Sequence, residues 1–190
     1  MRDRGANVYL LVFLAFFGCT TMKYKDMASS DPIKLISLRD SLDTELSPLL
    51  VEAFLEAYNK VGIQAYKSEN YNRATSLFLK SQELSPGDTL SKFYILMCSG
   101  KKKYEGGKKE LLWESIQDFY KASALYPKRG APFYFIGQSY SKLGDKDFDL
   151  IIESYEKAML LEVDEELQIA ISNAKLEAIR RKDLLKSFWK

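Results

Sequence analysis

The stretch Tyr58-x-x-Val61-Gly62 … Ala74-x-x-x-Phe78-x-x-Ser81 … Leu84-x-Pro86 decides how this chain folds, because its skeleton returns twice. Downstream stands Ser115-x-x-x-Phe119-x-x-Ala122 … Leu125-x-Pro127. Then comes Phe133-x-x-Ile136-Gly137-x-x-Tyr140 … Ile151-x-x-x-Tyr155-x-x-Ala158 … Leu161. Self-similarity at this period marks a repeat architecture, in which each unit buries its apolar face against the next. Within each unit the apolar spacing is helical: Phe78, Ser81 and Leu84 share a face, as do Phe119, Ala122 and Leu125. Pro86 and Pro127 end helices, since proline cannot continue one and restrains the residue before it. Gly62 and Gly137 are expected where the two helices of a hairpin cross closely, with Ala74 as the small partner of Gly62.

This skeleton of aromatic, aliphatic-Gly, Tyr, Ala, aromatic, Ala and Pro resembles the tetratricopeptide repeat. The resemblance implies an all-α, right-handed solenoid of helical hairpins, about three repeats long, spanning 55–88, 89–129 and 130–163. The second repeat departs most from the pattern: Leu96 stands at the small position, and about seven extra residues intervene. The flanks suit a stack. Residues 32–54 form a helical flank, with Ser47-Pro48 as N-cap and first-turn proline. Residues 164–190 form a capping helix whose Leu167, Ile171, Ala174, Ala178 and Leu185 share one face. Its acidic start (Asp164, Glu165, Glu166) and basic later turns (Arg180, Arg181, Lys182) match the helix dipole.

The amino terminus reads as an address. Arg2 and Arg4 precede an apolar run, Val8 to Phe17, which stops at Gly18-Cys19. Positive charge, about ten apolar residues and a small residue before the cut describe a secretory signal over residues 1–18. The run is half the roughly twenty residues that cross a bilayer. Phe16-Phe17-Gly18-Cys19 resembles the bacterial lipobox, with Phe where an aliphatic and a small residue are usual. The resemblance implies that Cys19 becomes the first mature residue and carries acyl chains such as palmitate. The protein would then be a lipoprotein of a double-membrane bacterium, on the periplasmic face or the cell surface. Residues 19–31 show no periodicity and read as a flexible tether with a reach of about 40 Å.

The chain of 190 residues carries a formal net charge of +2, about +1 once Arg2, Asp3 and Arg4 are removed with residues 1–18. That balance does not suggest a nucleic-acid partner. There is no histidine, which excludes His-based acid–base chemistry and most zinc sites. Cys98 lies in an apolar helical run and is expected as a small core residue. No catalytic residue, metal ligand or cofactor is expected, and function rests on surfaces.

The tetratricopeptide resemblance places a concave groove on the first helices. Carried over, its positions are Asn59, Ile63, Tyr66 and Lys67, then Phe93, Met97 and Lys101, then Tyr134, Gln138, Ser141 and Lys142. On this reading Lys67, Lys101 and Lys142 occupy one place in each repeat. They are either a ladder facing a ligand or ordinary solvated lysines. Between the helices of repeat two, residues 100–109 read as a basic loop bearing Lys102, Lys103, Lys108 and Lys109. It is either a solvated loop or an electrostatic foot for an anionic surface. The expected partner is a protein or peptide segment. The alternative is a small apolar ligand held between helices for a transport system, which an enclosed cavity would favour and an open groove would not.

Overall fold

The computed structural model describes residues 23–42, 46–144 and 146–188. Among them the chain is helical throughout: α1 (residues 23–30), α2 (Pro32–Ser37), a 3₁₀ turn (Arg39–Ser41), α3 (Pro48–Lys67), α4 (Tyr71–Leu84), α5 (Thr89–Gly106), α6 (Lys109–Leu125), α7 (Ala131–Leu143), α8 (Phe148–Met159) and α9 (Glu165–Phe188). The only β pairing among these residues is one isolated bridge, Arg129 with Glu162. The signal run and Cys19 lie outside the described residues.

Side chains at the helix starts set the boundaries. Ser47 Oγ accepts from the Leu50 amide, with Pro48 in the first turn. Asn70 Oδ1 accepts from the Arg73 amide at 3.1 Å, and Asp164 Oδ1 from the Leu167 amide at 2.9 Å. Each satisfies a donor that the helix itself leaves unpaired. Asp88 does more: its carboxylate accepts from the Leu90 and Ser91 amides at 3.1 and 3.2 Å, and from the buried Asn59 side chain at 3.0 Å. Asn59 in turn accepts from Ser81 Oγ at 2.9 Å, so one cap ties α3, α4 and α5 together.

Helices pack in chain order as hairpins α3/α4, α5/α6 and α7/α8, each also packed on the next, with α9 laid against α8 and α7. The first helices touch in series, α3 to α5, α5 to α7 and α7 to α9, while no contact joins the second helices α4, α6 and α8 among the described residues. The first helices therefore form the inner layer of a curved stack. Its core runs from Phe93, Met97 and Ile116 through Phe119, Ile136 and Tyr155 to Ile171 and Ala178. Two smaller clusters centre on Phe54 and Phe78. Cys98 is fully buried in the latter, and burial pushes its thiol up to about 11.

One contact recurs in all three hairpins and fixes their register. A Cβ built on Gly62 would stand 2.8 Å from the Phe78 ring; one on Gly100, 2.6 Å from Phe119; one on Gly137, 2.5 Å from Tyr155. In each case the second helix seats its aromatic ring on a bare patch of the first. The partner of Gly62 is therefore Phe78, not Ala74. The small position of repeat two is Gly100, not Leu96. With the three glycines aligned, Lys101 matches Ile63 and Gln138, and Glu105 matches Lys67 and Lys142. The lysine ladder does not exist.

The extra residues of repeat two make helix, not loop. α5 runs on to Gly106, Gly107 turns the chain at φ +69°, and α6 starts at Lys109. Lys103 faces α6, with its ammonium 2.8 Å from the buried Asp118 and 3.2 Å from Glu114. Lys102, Lys108 and Lys109 are exposed. The basic loop is thus reduced to a two-residue turn, with one of its four lysines already neutralised.

The expected tether is also shorter. Residues 23–30 are helical, and Ala28 is fully buried in the cluster around Phe54, with Tyr24 and Met27 packed on it. Ser29 Oγ donates to Glu56 at 3.1 Å, and the Lys60 ammonium donates to the Ser29 carbonyl. A hydrophobic anchor every three to four residues, invisible as a pattern in so short a segment, holds α1 on α3.

Candidate functional site: a groove on the inner layer

The inner layer carries a groove of about 350 Å³ bordered by α3, α5, α7 and the first turns of α9. Its floor is apolar: the buried Phe93 and Met97, then Tyr94, Phe135, Leu167 and Ala170. Tyr66 and Lys67 border it on the α3 side, and Asp164 and Glu166 on the α9 side. Lys67, Asp164 and Glu166 are exposed, so the groove opens to solvent.

Stacked rings make the floor rigid. Tyr94 lies flat on Phe78 with centroids 5.0 Å apart, edge-on to Tyr66 at 5.2 Å and to Phe93 at 5.1 Å. Burial and the neighbouring Tyr71 push the Tyr66 hydroxyl well above its ordinary range, so it stays a neutral donor. Arg129 lies over this floor: its guanidinium sits 4.8 Å from the Phe93 centroid and 4.5 Å from that of Tyr126. Such stacking fixes a planar cation without using its hydrogen-bonding fork. No carboxylate pairs with Arg129 among the described residues.

Backbone geometry explains why Arg129 is there. The Gly130 amide donates to the Glu162 carbonyl at 2.9 Å, and the Glu162 amide to the Lys128 carbonyl at 2.8 Å. The α6–α7 and α8–α9 turns are thereby strapped together. Gly130 has no room for a side chain, because a Cβ would strike the Ala158 carbonyl and Val163.

The structure divides the eleven expected groove residues. Tyr66, Lys67, Phe93 and Met97 line the groove. Asn59 does not: it is buried in the Asp88 network. Ile63 packs on the cluster around Phe78. Lys101, Tyr134, Gln138, Ser141 and Lys142 belong to a seam of α5, α7 and α9. There Lys101 sits 4.4 Å from the Phe135 centroid, and burial lowers its ammonium despite Glu69 and Glu105 nearby. Tyr134 packs edge-on against Phe135, and burial raises its hydroxyl. Lys142 donates to the Tyr104 carbonyl at 2.9 Å, Gln138 accepts from the Tyr104 hydroxyl at 3.4 Å, and Ser141 accepts from Arg181 at 3.1 Å. The sequence reading missed Tyr94, Phe135 and above all Arg129, whose signal was a cation two residues after the Pro127 helix stop. It also missed that α9 supplies a groove wall as well as a cap.

No protein-family model matches the chain, and no curated protein matches it. Among solved structures, the MamA 41-end from Desulfovibrio magneticus RS-1 is similar, with a TM-score of 0.54 and 17% identity over 88% of this chain and 88% of that one. The MamA RS-1 ArsTM double mutant gives a TM-score of 0.46 at 14% identity over 86% of this chain and 96% of that one. The first likeness is one of fold: the chain is an all-α, tetratricopeptide-like helical repeat.

Proposed function

We propose that this protein is a non-catalytic interaction scaffold that holds a segment of a partner protein in the groove of its inner layer. The observation that carries this reading is the pairing of an open aromatic floor with Arg129, a stacked cation with a free hydrogen-bonding fork. The fitting segment places an apolar side chain on Tyr94, Met97 and Leu167 and a carboxylate on Arg129. Asp164 and Glu166 on the far rim disfavour a uniformly acidic segment and favour one of mixed charge. A groove open to solvent suits a chain segment better than an enclosed small apolar ligand.

We further propose that the scaffold is a lipoprotein of the cell envelope, acylated at Cys19. The support is the signal-like run ending at Gly18-Cys19. Among the described residues no helix is long and apolar enough to cross a membrane.

A photoreactive residue placed at Lys67, on the groove rim, should capture a partner in the producing cell; the same residue at Leu79 on α4 should not. The captured segment, made as a peptide, should bind with at least tenfold lower affinity to Arg129→Gln and to Leu167→Glu, about 1.4 kcal/mol each. Equal capture from both positions, or unchanged affinity in both variants, would place binding elsewhere.

A further inference from the structure

The groove of the inner layer carries its charges in order. Lys67 on α3 and Arg129, whose guanidinium lies over Phe93, Tyr94 and Tyr126, stand on its α3–α5 side. Asp164 and Glu166 stand on its α9 side. Between the two sides the lining is apolar: Met97, Phe135, Leu167 and Ala170. Lys67, Arg129 and Glu166 form no ion pair among the described residues. Asp164 uses one carboxylate oxygen to accept from the Leu167 amide.

Neighbouring charges leave this polarity standing. Glu69, two residues past Lys67, lines a separate depression with Tyr71 and Glu105. Glu162 is strapped beside Arg129 through its backbone, but its exposed side chain is not part of the groove lining. The positive end of the α9 dipole amounts to about half a charge. Asp164, Glu165 and Glu166 bring carboxylates to the same turn and outweigh it.

We propose that the partner segment is extended and ordered in charge: an acidic residue at one end lies on Arg129 and Lys67, apolar side chains cover Met97 and Leu167, and a basic residue at the other end meets Asp164 and Glu166. The order rests on the partner being held in this groove, as proposed above. Helices packed side by side stand about 8–10 Å apart, so α5 to α9 is two steps, about 16–20 Å. An extended chain covers that in about five or six residues. Laid the other way round, the segment would set its acid against Asp164 and Glu166 and its base against Arg129. Like charges facing each other disfavour that arrangement, so the groove admits one orientation.

Photocrosslinking of the full chain in the producing cell tests the order. A photoreactive residue is placed at Lys67 and, separately, at Glu166. Both positions are solvent-exposed, so folding is spared, and each change leaves Arg129 or Asp164 in place. Mass spectrometry should find one partner segment, linked near its acidic end from position 67 and near its basic end from position 166. The two links should lie about five or six residues apart. Made as a peptide, the segment should bind at least tenfold more tightly than a version with its acid and base exchanged. The Lys67→Glu, Glu166→Lys double variant should narrow that preference to below threefold. Links in the opposite order, both positions linking to the same end, or an exchanged peptide that binds as well as the parent would overturn the proposed order. If Leu167→Glu still weakens the peptide in those cases, the groove remains the binding site. No link from either position would overturn the order and the groove together.

Discussion

One added carbon at Gly100 would run into the Phe119 ring. Phe119 is fully buried and cannot swing aside without disturbing the core around Met97 and Ile136. Gly100→Ala should therefore cost about 1–3 kcal/mol, against the helix-propensity gain of about 1 kcal/mol that the same change brings at an open site. Thermal melting should show a midpoint lowered by several degrees, roughly 2–4 °C per kcal/mol in a chain of this size; an unchanged or raised midpoint would refute the contact. Asp88 offers a pH test. Partial burial raises its carboxyl, but hydrogen bonds from Asn59, Ser91 and the Leu90 and Ser91 amides outweigh this and hold it below the ordinary carboxylate range. A depressed carboxyl contributes stability above its unfolded value and loses it as pH falls through the folded one. Asp88→Asn, which keeps a capping oxygen, should accordingly flatten the loss of stability below about pH 4 in denaturant titrations. At this scale the sequence was half legible. Gly62 and Gly137 announced themselves through flanking aliphatic and aromatic residues. Gly100 hid between Ser99 and three lysines, and the misplaced register then produced the lysine ladder.

At the scale of elements, α5 departs most from expectation. A run of three lysines before Tyr-Glu-Gly-Gly looks like a solvated loop by charge alone. Lysine, tyrosine and glutamate are acceptable helix residues, however, and only Gly107 adopts a backbone that breaks the helix. What sets the outcome is tertiary: Asp118 on α6, buried and bonded to Ser99 at 2.7 Å, receives Lys103 from the added turn. Lys103→Gln should destabilise the fold by about 1–2 kcal/mol, since a buried carboxylate loses its counter-charge. Lys102→Gln, one residue away and exposed, should stay within about 0.5 kcal/mol. Equal small effects in urea unfolding would mean that this turn is the loop its composition suggests. α1 escaped the sequence for a different reason: two turns are too short for periodicity to emerge, and its anchors Tyr24, Met27 and Ala28 read as scattered.

For the whole molecule, the repeat skeleton carried the architecture, because its recurring aromatic answers a packing need that the three hairpins share. The groove was less legible, because it is assembled from four elements distant in sequence. The strap that positions Arg129 runs between two turns with no periodic signal at all. The added helix α1 also changes how the proposed anchor works. Three residues lie between Cys19 and Lys23, four steps with a reach of at most about 14 Å, so an acylated chain would hold its N-terminal end close to the headgroups instead of about 40 Å away. Cys19→Ser should abolish fatty-acid labelling and release the protein from the membrane fraction. A labelled, membrane-bound variant would refute acylation at this residue.

The unequal contact between layers has a mechanical consequence. α3, α5, α7 and α9 touch one another in line, while α4, α6 and α8 do not. In the language of beams, the neutral axis lies near the inner layer. Flexing the stack opens or closes gaps between outer helices at small cost and leaves the inner spacing almost fixed. The molecule would then be a leaf spring with a stiff concave side, and in the proposed scaffold its curvature would follow a partner's surface while the aromatic floor keeps its spacing.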